Sequence, residues 1–580
     1  MGGFVLSRSN RKDVLHPLAV VAVFTLVTAC GGGGSGGNNS SGPAPPVQIP
    51  FADATAGSGI NYVNGFVTGT SNQMIPRIAP SGVASGDYDR DGDIDLFIVR
   101  GDIGPNLLYR NLGNMVFEEV AAEAGLAFTK SATENFRHSG PMFADMDGDR
   151  DLDLFLGGLD GNPSLLFENN GDGTFSNVTA GSGIDQMMAI ETISAAFGDY
   201  DLDGDLDLFA SHWGTPRDFS APGDTENLWR NDTDAAGIKF QSVSESANIS
   251  PTILTLPDDL TTGTGKDFAF SPTFARINDD LYPDILSVAD FNYSQYFINN
   301  QDGTFSNATD TDVIIDGNGM GSAVADYDND GDLDWFVTSI KCRVDPNSDD
   351  PASECEFGIL SQIGNRLYNN RDGAFADVTD QAGVATGGWG WGACFIDFEN
   401  DGDLDIYHTN GWPLTNVAND FEFDASRAFV SDGAGGFAER SVELGLVDTE
   451  QGRGVVCADF DNDGDVDILQ LHRSANVAAT LWRNSTDNNN FLSVKLNGAA
   501  PNTEAAGARI TIAYSGIEQM REISIASNFV SQNPTVQSFG IGSAAQVDQV
   551  TIQWPDGRET VLTNIQAGQF ITVDHPDLLN

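Results

Sequence analysis

Residues Asp326–Asp334 read DYDNDGDLD, and Trp335, Phe336 and Val337 follow directly. Acidic side chains stand at positions 1, 3, 5, 7 and 9 of this nine-residue stretch, with Gly331 at position 6. Alternating carboxylates in so short a loop can converge on one centre, and calcium takes six to eight oxygens at about 2.3–2.6 Å. Side chains at positions 1, 3, 5 and 9 and the backbone carbonyl at 7 supply them. Gly331 allows the positive φ that lets the chain wrap back around the ion. Without a cation the loop is poorly off, since two carboxylates about 4 Å apart repel by roughly 4 kcal/mol at an effective dielectric of about 20.

Five further stretches share the spacing: DYDRDGDID, DMDGDRDLD, DYDLDGDLD, DFENDGDLD and DFDNDGDVD. The predicted calcium ligands of the first two are Asp87, Asp89, Asp91, Asp93, Asp95 and Asp145, Asp147, Asp149, Asp151, Asp153. The third loop offers Asp199, Asp201, Asp203, Asp205, Asp207, and the quoted loop Asp326, Asp328, Asp330, Asp332, Asp334. The last two offer Asp397, Glu399, Asp401, Asp403, Asp405 and Asp459, Asp461, Asp463, Asp465, Asp467. About six calcium ions are therefore expected. A seventh stretch, RINDDLYPD at Arg276–Asp284, sits where the series demands a loop, but Arg276 replaces the first carboxylate and Leu281 the glycine. Its guanidinium is expected to bridge the remaining oxygens in place of calcium. Arg150 takes the glycine position of the second loop, at a cost on the order of 1–2 kcal/mol for a left-handed residue. That site is expected to be weakened and not lost.

Loop starts are 50 to 77 residues apart, a period that means an array or a propeller. Between the loops lies a second repeated element, clearest as NLLYRNLGNMVFEEV from Asn106, SLLFENNGDGTFSNV from Ser164 and NRLYNNRDGAFADV from Asn365. Each holds a short apolar strand, an Asn/Gly turn and a Phe-led strand. With the strands flanking each acidic loop, every repeat has four strands, and seven such units make a seven-bladed β-propeller. Phe51–Ile60 matches the fourth-strand element yet precedes the first loop, while the last repeat ends after its third strand, TLWRN at Thr480–Asn484. The N-terminal strand is expected to complete the last blade and remove an unpaired edge.

These loops and the LYRN…F elements resemble FG-GAP/VCBS repeats, the calcium-loop blades of integrin-α-type propellers. The tail, with FLSVKLNG, GARITI, QMREIS, SFGIGSAAQVDQVTIQWPDG and AGQFITV between Phe491 and Val573, is similar to the ASPIC/UnbV domain. Read for itself it is a run of period-two strands, a small all-β domain. The combination resembles cartilage-acidic-protein-like proteins and their bacterial relatives. The resemblance implies an all-β chain that binds extracellular partners with calcium, and it carries no catalytic residue over. The expected organisation is a lipoprotein signal peptide at 1–29, a tether at 30–50, the propeller at 51–490 and the C-terminal domain at 491–580.

Arg8, Arg11 and Lys12 precede an apolar segment, Leu18–Ala29, too short to span a bilayer. Val27–Cys30 resembles a bacterial lipobox, so Cys30 is the expected lipid anchor, and the Gly/Ser-rich then Pro-rich stretch to Pro50 a tether. The expected location is the outer membrane or surface of a Gram-negative cell, with periplasmic or secreted placement as the alternative. A net charge of −56 argues against nucleic acid as a partner. Cys342 and Cys355 bracket a Pro/Asp/Ser-rich insertion and are expected to pair, whereas Cys394 and Cys457, offset by one residue relative to their loops, are expected to face opposite sides and stay unpaired.

His212, His408 and His472 follow second strands, close to Trp213 and Trp412, on the face opposite the acidic loops. There they could shape a pocket with Trp389, Trp391, Arg77, Arg137 and Arg453. No nucleophile with a fixed partner and no His/Cys metal cluster stands out. Arg100–Asp102 spells RGD in a loop of the same face, and further basic residues there (Lys130, Arg217, Lys266, Lys341, Arg343, Arg473) suit an anionic ligand such as an acidic polysaccharide. The favoured function is a surface-tethered module that binds a protein or glycan. The alternative is a carbohydrate-active enzyme, such as a polysaccharide lyase, on a calcium-stabilised propeller.

Overall fold

A computed structural model describes residues 50–579 except 68–73, 80, 189–190, 219–226, 251, 253–255, 258–263, 279, 344–354, 356–357, 414–420, 475–476 and 487–488. The expected leader, Cys30 and most of the tether lie outside the described residues.

The strand after each acidic loop is apolar on both sides: DLFI at Asp95–Ile98, DLFLGG at Asp153–Gly158 and DWFV at Asp334–Val337 are buried throughout. Such uninterrupted burial belongs to a sheet covered on both faces. Each acidic loop joins the first and second strands of a four-stranded antiparallel set, the first being Val83–Gly86, Asp95–Ile98, Leu107–Asn111 and Phe117–Glu119. The first strands of successive sets are Val83–Gly86, His138–Ala144, Thr192–Gly198, Thr264–Ala275, Ser322–Ala325, Gly390–Ile396 and Gly452–Ala458. Each packs on the next, and the last packs on the first. This closed ring agrees with the seven-bladed reading.

Between blades the side chains interdigitate. Phe97 and Leu108 of the first blade pack with Phe143 and Leu154 of the second, and Leu96 and Tyr109 pack with Val456 and Leu469 of the seventh. The ring closes as expected: Phe51–Asp53 pairs antiparallel with Thr480–Asn484, Phe51 opposite Asn484. The third and fourth blades depart from the plan. Asp207–Asp218 runs on past its blade and pairs with the long first strand of the next, Trp213 opposite Phe268.

The C-terminal domain is all-β, as expected. Asn490–Asn497 lies between Gln537–Gly542 and the parallel Gln569–Asp574, and a second sheet carries Ile517–Glu522, Arg509–Tyr514, Gln546–Gln553 and Glu559–Gln566 in that order. Leu492, Val494, Ile510, Ile512, Phe539 and Trp554 fill its core. One excursion of this domain, Ile525–Asn533, enters the propeller channel and touches all seven blades. Ala526 pairs with Ala196, and Gln532 donates to Val83 O at 2.9 Å. The Gln532 amide exchanges two 2.8 Å bonds with the Phe143 backbone. Ser322 N donates to Asn528 O at 3.1 Å, and Asn528 Nδ2 to Val455 O at 2.8 Å. Phe529 meets Phe270 and Trp391 at centroid distances of 5.4 and 5.1 Å.

Cys342 and Cys355 are bridged, Cα atoms 6.1 Å apart. Cys394 and Cys457 are also bridged, at 6.5 Å, which corrects the expectation of two unpaired thiols. They do lie on opposite sheet faces. Adjoining blades, however, present opposite faces to each other, so the one-residue offset is what brings them together.

Candidate metal centres and the plugged channel

Each acidic loop is tied down by its ninth residue. One carboxylate oxygen accepts the N–H of position 2: Tyr88 to Asp95, Met146 to Asp153, Tyr200 to Asp207, Tyr327 to Asp334, Phe398 to Asp405 and Phe460 to Asp467, at 2.9–3.2 Å. The other accepts the N–H of the asparagine ending the third strand, for instance Asn111 to Asp95 at 2.7 Å and Asn370 to Asp334 at 2.8 Å. That asparagine's amide then donates to position 2 of the preceding blade's loop. Asn111 reaches Phe460 O, Asn169 Tyr88 O, Asn231 Met146 O, Asn299 Tyr200 O, Asn370 Ile277 O and Asn484 Phe398 O, at 2.7–3.0 Å. Ser431 stands at the equivalent place in the sixth blade. The final Asn of LYRN thus links loop to loop around the ring.

Position 1 closes the loop from the other side. Asp326 accepts Asp330 N and Gly331 N at 3.0 and 3.1 Å, and Asp397 accepts Asp401 N and Gly402 N at 3.1 and 2.9 Å. Carboxylates at positions 1, 3 and 9 converge. The groups Asp87/Asp89/Asp95, Asp145/Asp147/Asp153, Asp326/Asp328/Asp334 and Asp397/Glu399/Asp405 each bring one oxygen per residue within 4.8 Å of the others. In the third blade the group is Asp199, Asp201 and Asp203. Position-5 side chains otherwise cap their own turn, as when Asp330 accepts Asp332 N at 3.1 Å.

Position-7 side chains turn outward to the neighbouring blade's position 4. Arg90 pairs with Asp151 at 3.1 Å, and Asn400 and Asn462 donate to Asp465 and Asp93 at 2.7 Å. Position 4 was not singled out in the sequence. Its left-handed backbone (φ 56 to 60° at Arg90, Leu202, Asn329, Asn400 and Asn462) leaves no trace where the residue is Arg or Leu.

A hard cation fits these loops. Asp87 Oδ1, Asp89 Oδ1, Asp199 Oδ1, Asp201 Oδ1, Glu399 Oε2 and Asp461 Oδ1 are buried without a hydrogen-bond donor among the described residues. Burial, with neighbouring carboxylates adding to it, pushes Asp95 and Asp334 up to about 9 and Asp199, Asp326, Asp397 and Asp459 up to about 7. The protein's own charges leave these acids under-compensated, and several loops could hold a metal ion, calcium being compatible with an all-oxygen set. In the second loop Arg150 adopts φ 81° as expected, and its guanidinium donates to Gly498 O at 3.0 Å. In the fourth, Arg276 is buried and donates through Nε to the backbone carbonyl of Asp280 at 2.9 Å.

The C-terminal domain lies over this same face. Lys495 pairs with Asp87 at 2.9 Å, Thr503 donates to Asp145, and Glu522 accepts Arg276 N at 2.9 Å. Buried Arg521 acts electrostatically on both Asp326 and Asp397, while its own pKa is lowered by burial.

On the opposite face the expected pocket is filled. Trp389 stacks on Trp412 at 4.3 Å, and both belong with Trp213, Trp391, Phe270 and Ile75 to a buried cluster centred on Phe529 and Val530. Arg453 is fully buried, 3.9 Å over the Trp391 ring, and donates to Arg77 O and Gly411 O. Arg137 pairs with Asp102 and Asp160. Asp102 of the RGD triplet is therefore buried and engaged, and Arg137 and Arg453 both spend their guanidinium groups on partners within the protein. His138 and His408 are held neutral by burial, down to about 3, and His472 is buried against Asp448 at 3.0 Å.

Four segments, 87–156, 145–210, 276–337 and 358–408, match the family described as FG-GAP-like repeat, and residues 498–579 match ASPIC and UnbV. This chain is an FG-GAP-like repeat protein with a C-terminal ASPIC and UnbV domain. It is similar to cartilage acidic protein 1 of Homo sapiens, 24% identical over 87% of this chain and 74% of that protein. The Mus musculus protein of that name is 24% identical over 85% and 74%. Among solved structures, YCF48 from Cyanidioschyzon merolae covers 71% of this chain and 98% of its own, at 12% identity and a TM-score of 0.36. The FG-GAP match begins at Asp87 and takes in six of the seven acidic stretches whole, all but Asp459–Asp467, and the ASPIC and UnbV match contains the excursion that fills the channel.

Proposed function

We propose that this protein is an exported, calcium-loaded binding module that recognises an extracellular protein or glycan, held at the cell surface by a lipid on Cys30. The observation that carries the reading is the set of loops whose carboxylates converge and keep buried oxygens without donors. An intracellular chain has little calcium with which to neutralise them. Extracellular calcium modules bind with dissociation constants of about 10⁻⁴–10⁻³ M, matched to calcium-rich surroundings. Magnesium, which keeps several waters in a smaller octahedron, suits such a loop less well.

Metal analysis of the calcium-saturated protein tests the first half. About six ions per chain are expected, or five if Arg150 spoils the second loop, and two or fewer would sink the reading. Asp326→Ala should remove one ion and Asn278→Ala none. A glycan array with and without chelator tests the second half. Palmitate labelling that is lost in Cys30→Ser supports the anchor, and labelling that ignores Cys30 overturns it. The polysaccharide-lyase alternative gains nothing from the histidines, which are built into the blade walls.

A further inference from the structure

The channel is filled unevenly. On the side of blades five to seven, a cavity of about 640 Å³ remains between the plugging segment, the propeller's first strands and the C-terminal domain. A cleft of a few hundred cubic ångströms is the usual size for a small ligand. The wall supplied by the propeller is largely apolar: Ala323, Ala325, Ala393, Ala458 and the Cys394–Cys457 bridge. The facing wall is hydroxyl and amide, with Ser493, Ser527, Ser538, Asn528 and Gln537. Ser527 and Asn528 are only 2% and 6% exposed, yet Ser527 Oγ and Asn528 Oδ1 have no hydrogen-bonding partner among the described residues, and neither has Ser524 Oγ beside them. Buried polar atoms are ordinarily satisfied. Phe570, 47% exposed, stands at the cavity's edge.

Charge narrows the ligand class. The two cations at the cavity are already engaged, Lys495 with Asp87 at 2.9 Å and Arg521 with Met520 O at 2.8 Å, between the charges of Asp326 and Asp397. An anion entering here would meet Asp87, Asp397, Asp459 and Glu522 with no spare cation. A hydrocarbon would leave the three polar atoms unmet. A ring with a C–H face and a hydroxyl edge suits both walls. We propose that this cavity binds a small neutral polyhydroxylated molecule, a sugar of one or two rings. Its C–H face lies on the alanines and the disulfide, and its hydroxyls exchange hydrogen bonds with Ser524, Ser527 and Asn528. The site is internal, formed jointly by the two domains, and goes beyond recognition of a partner at the outer surface.

Calorimetry and saturation-transfer NMR on the calcium-loaded full chain, with methyl glycosides of glucose, galactose, mannose and N-acetylglucosamine and with maltose and cellobiose, test it. At least one sugar should bind one-to-one at millimolar affinity or better. Ser527→Ala should weaken it at least five-fold. Ser538→Phe, which fills the space, should abolish binding while the melting temperature holds, and it decides the matter if Ser527→Ala disturbs the fold. No binding by any of these sugars, binding indifferent to both variants, or a soaked crystal with only water in the cavity would overturn the proposal. Six bound calcium ions with no sugar bound would remove this site and leave the binding-module reading standing, whereas a low metal count with sugar bound would do the reverse.

Discussion

Asp95 and Asp334 show what a single residue does in this architecture. Each is fully buried, receives N–H donors on both oxygens, and has its pKa pushed from 3.8 up to about 9 by burial, with nearby acids adding to the rise. In the chelated protein the folded state therefore keeps protons that the unfolded chain gives up. Their stabilising effect is complete below about pH 4 and is lost as the pH rises toward 9. Chelated protein should melt higher at pH 5 than at pH 8. Calcium-saturated protein should show the opposite order, because protons then compete with the ion, and two thermal scans in each buffer check both. Leu202 is a second test, since it occupies the left-handed position 4 at φ 57°. Leu202→Asn should stabilise the protein by about 1 kcal/mol, read from denaturant midpoints. The carboxylate spacing and the departure at Arg276 were legible because they are written in charged residues at fixed intervals. Position 4 was not, because its demand falls on the backbone and Arg, Leu and Asn all meet it.

Among elements, the strand Phe51–Asp53 and the excursion Ile525–Asn533 matter most. The strand was foreseeable because its FADATAGSGI context repeats the fourth-strand motif in the one place that has no loop before it. Deleting residues 51–60 exposes the edge of Thr480–Asn484 and should abolish cooperative unfolding or cause aggregation, and an unchanged melting curve would rule the clasp out. The excursion was hidden. Its sequence, IASNFVSQN, has neither charge pattern nor period, and what it binds is backbone and side chains contributed by seven distant strands. The same hiddenness misled the view of the far face. Trp389, Trp391, Trp412 and Arg453 look like a binding surface when their loops are read alone, and they prove to be packing around Phe529. Phe529→Asp should lower the melting temperature as severely as a core substitution, by roughly 3–5 kcal/mol in stability. Peptide mapping without reductant should recover Cys394 joined to Cys457. That bridge spans 63 residues and is worth about 4 kcal/mol in the chain-entropy account.

For the whole molecule, the two domains are one structure. Lys495, Thr503, Arg521 and Glu522 rest on the acidic loops while Ile525–Asn533 fills the axis. Removing residues 491–580 should leave an open, apolar channel and a propeller that binds a hydrophobic dye, whereas a monomeric truncated protein with unaltered melting would refute this coupling. Ion binding at several independent sites adds about 2.7 kcal/mol each at one hundred times the dissociation constant. Chelation should accordingly lower the melting temperature of propeller and C-terminal domain together, in one transition. The N-terminal strand finds its partner at Asn484, and the central pin comes later still, so nearly the entire polypeptide must be made before the ring can shut. Contacts of such sequence separation are slow to form. A growing chain therefore spends much of its synthesis as a row of unclosed blades, its first edge bare to any other chain until Thr480–Asn484 emerges to cover it.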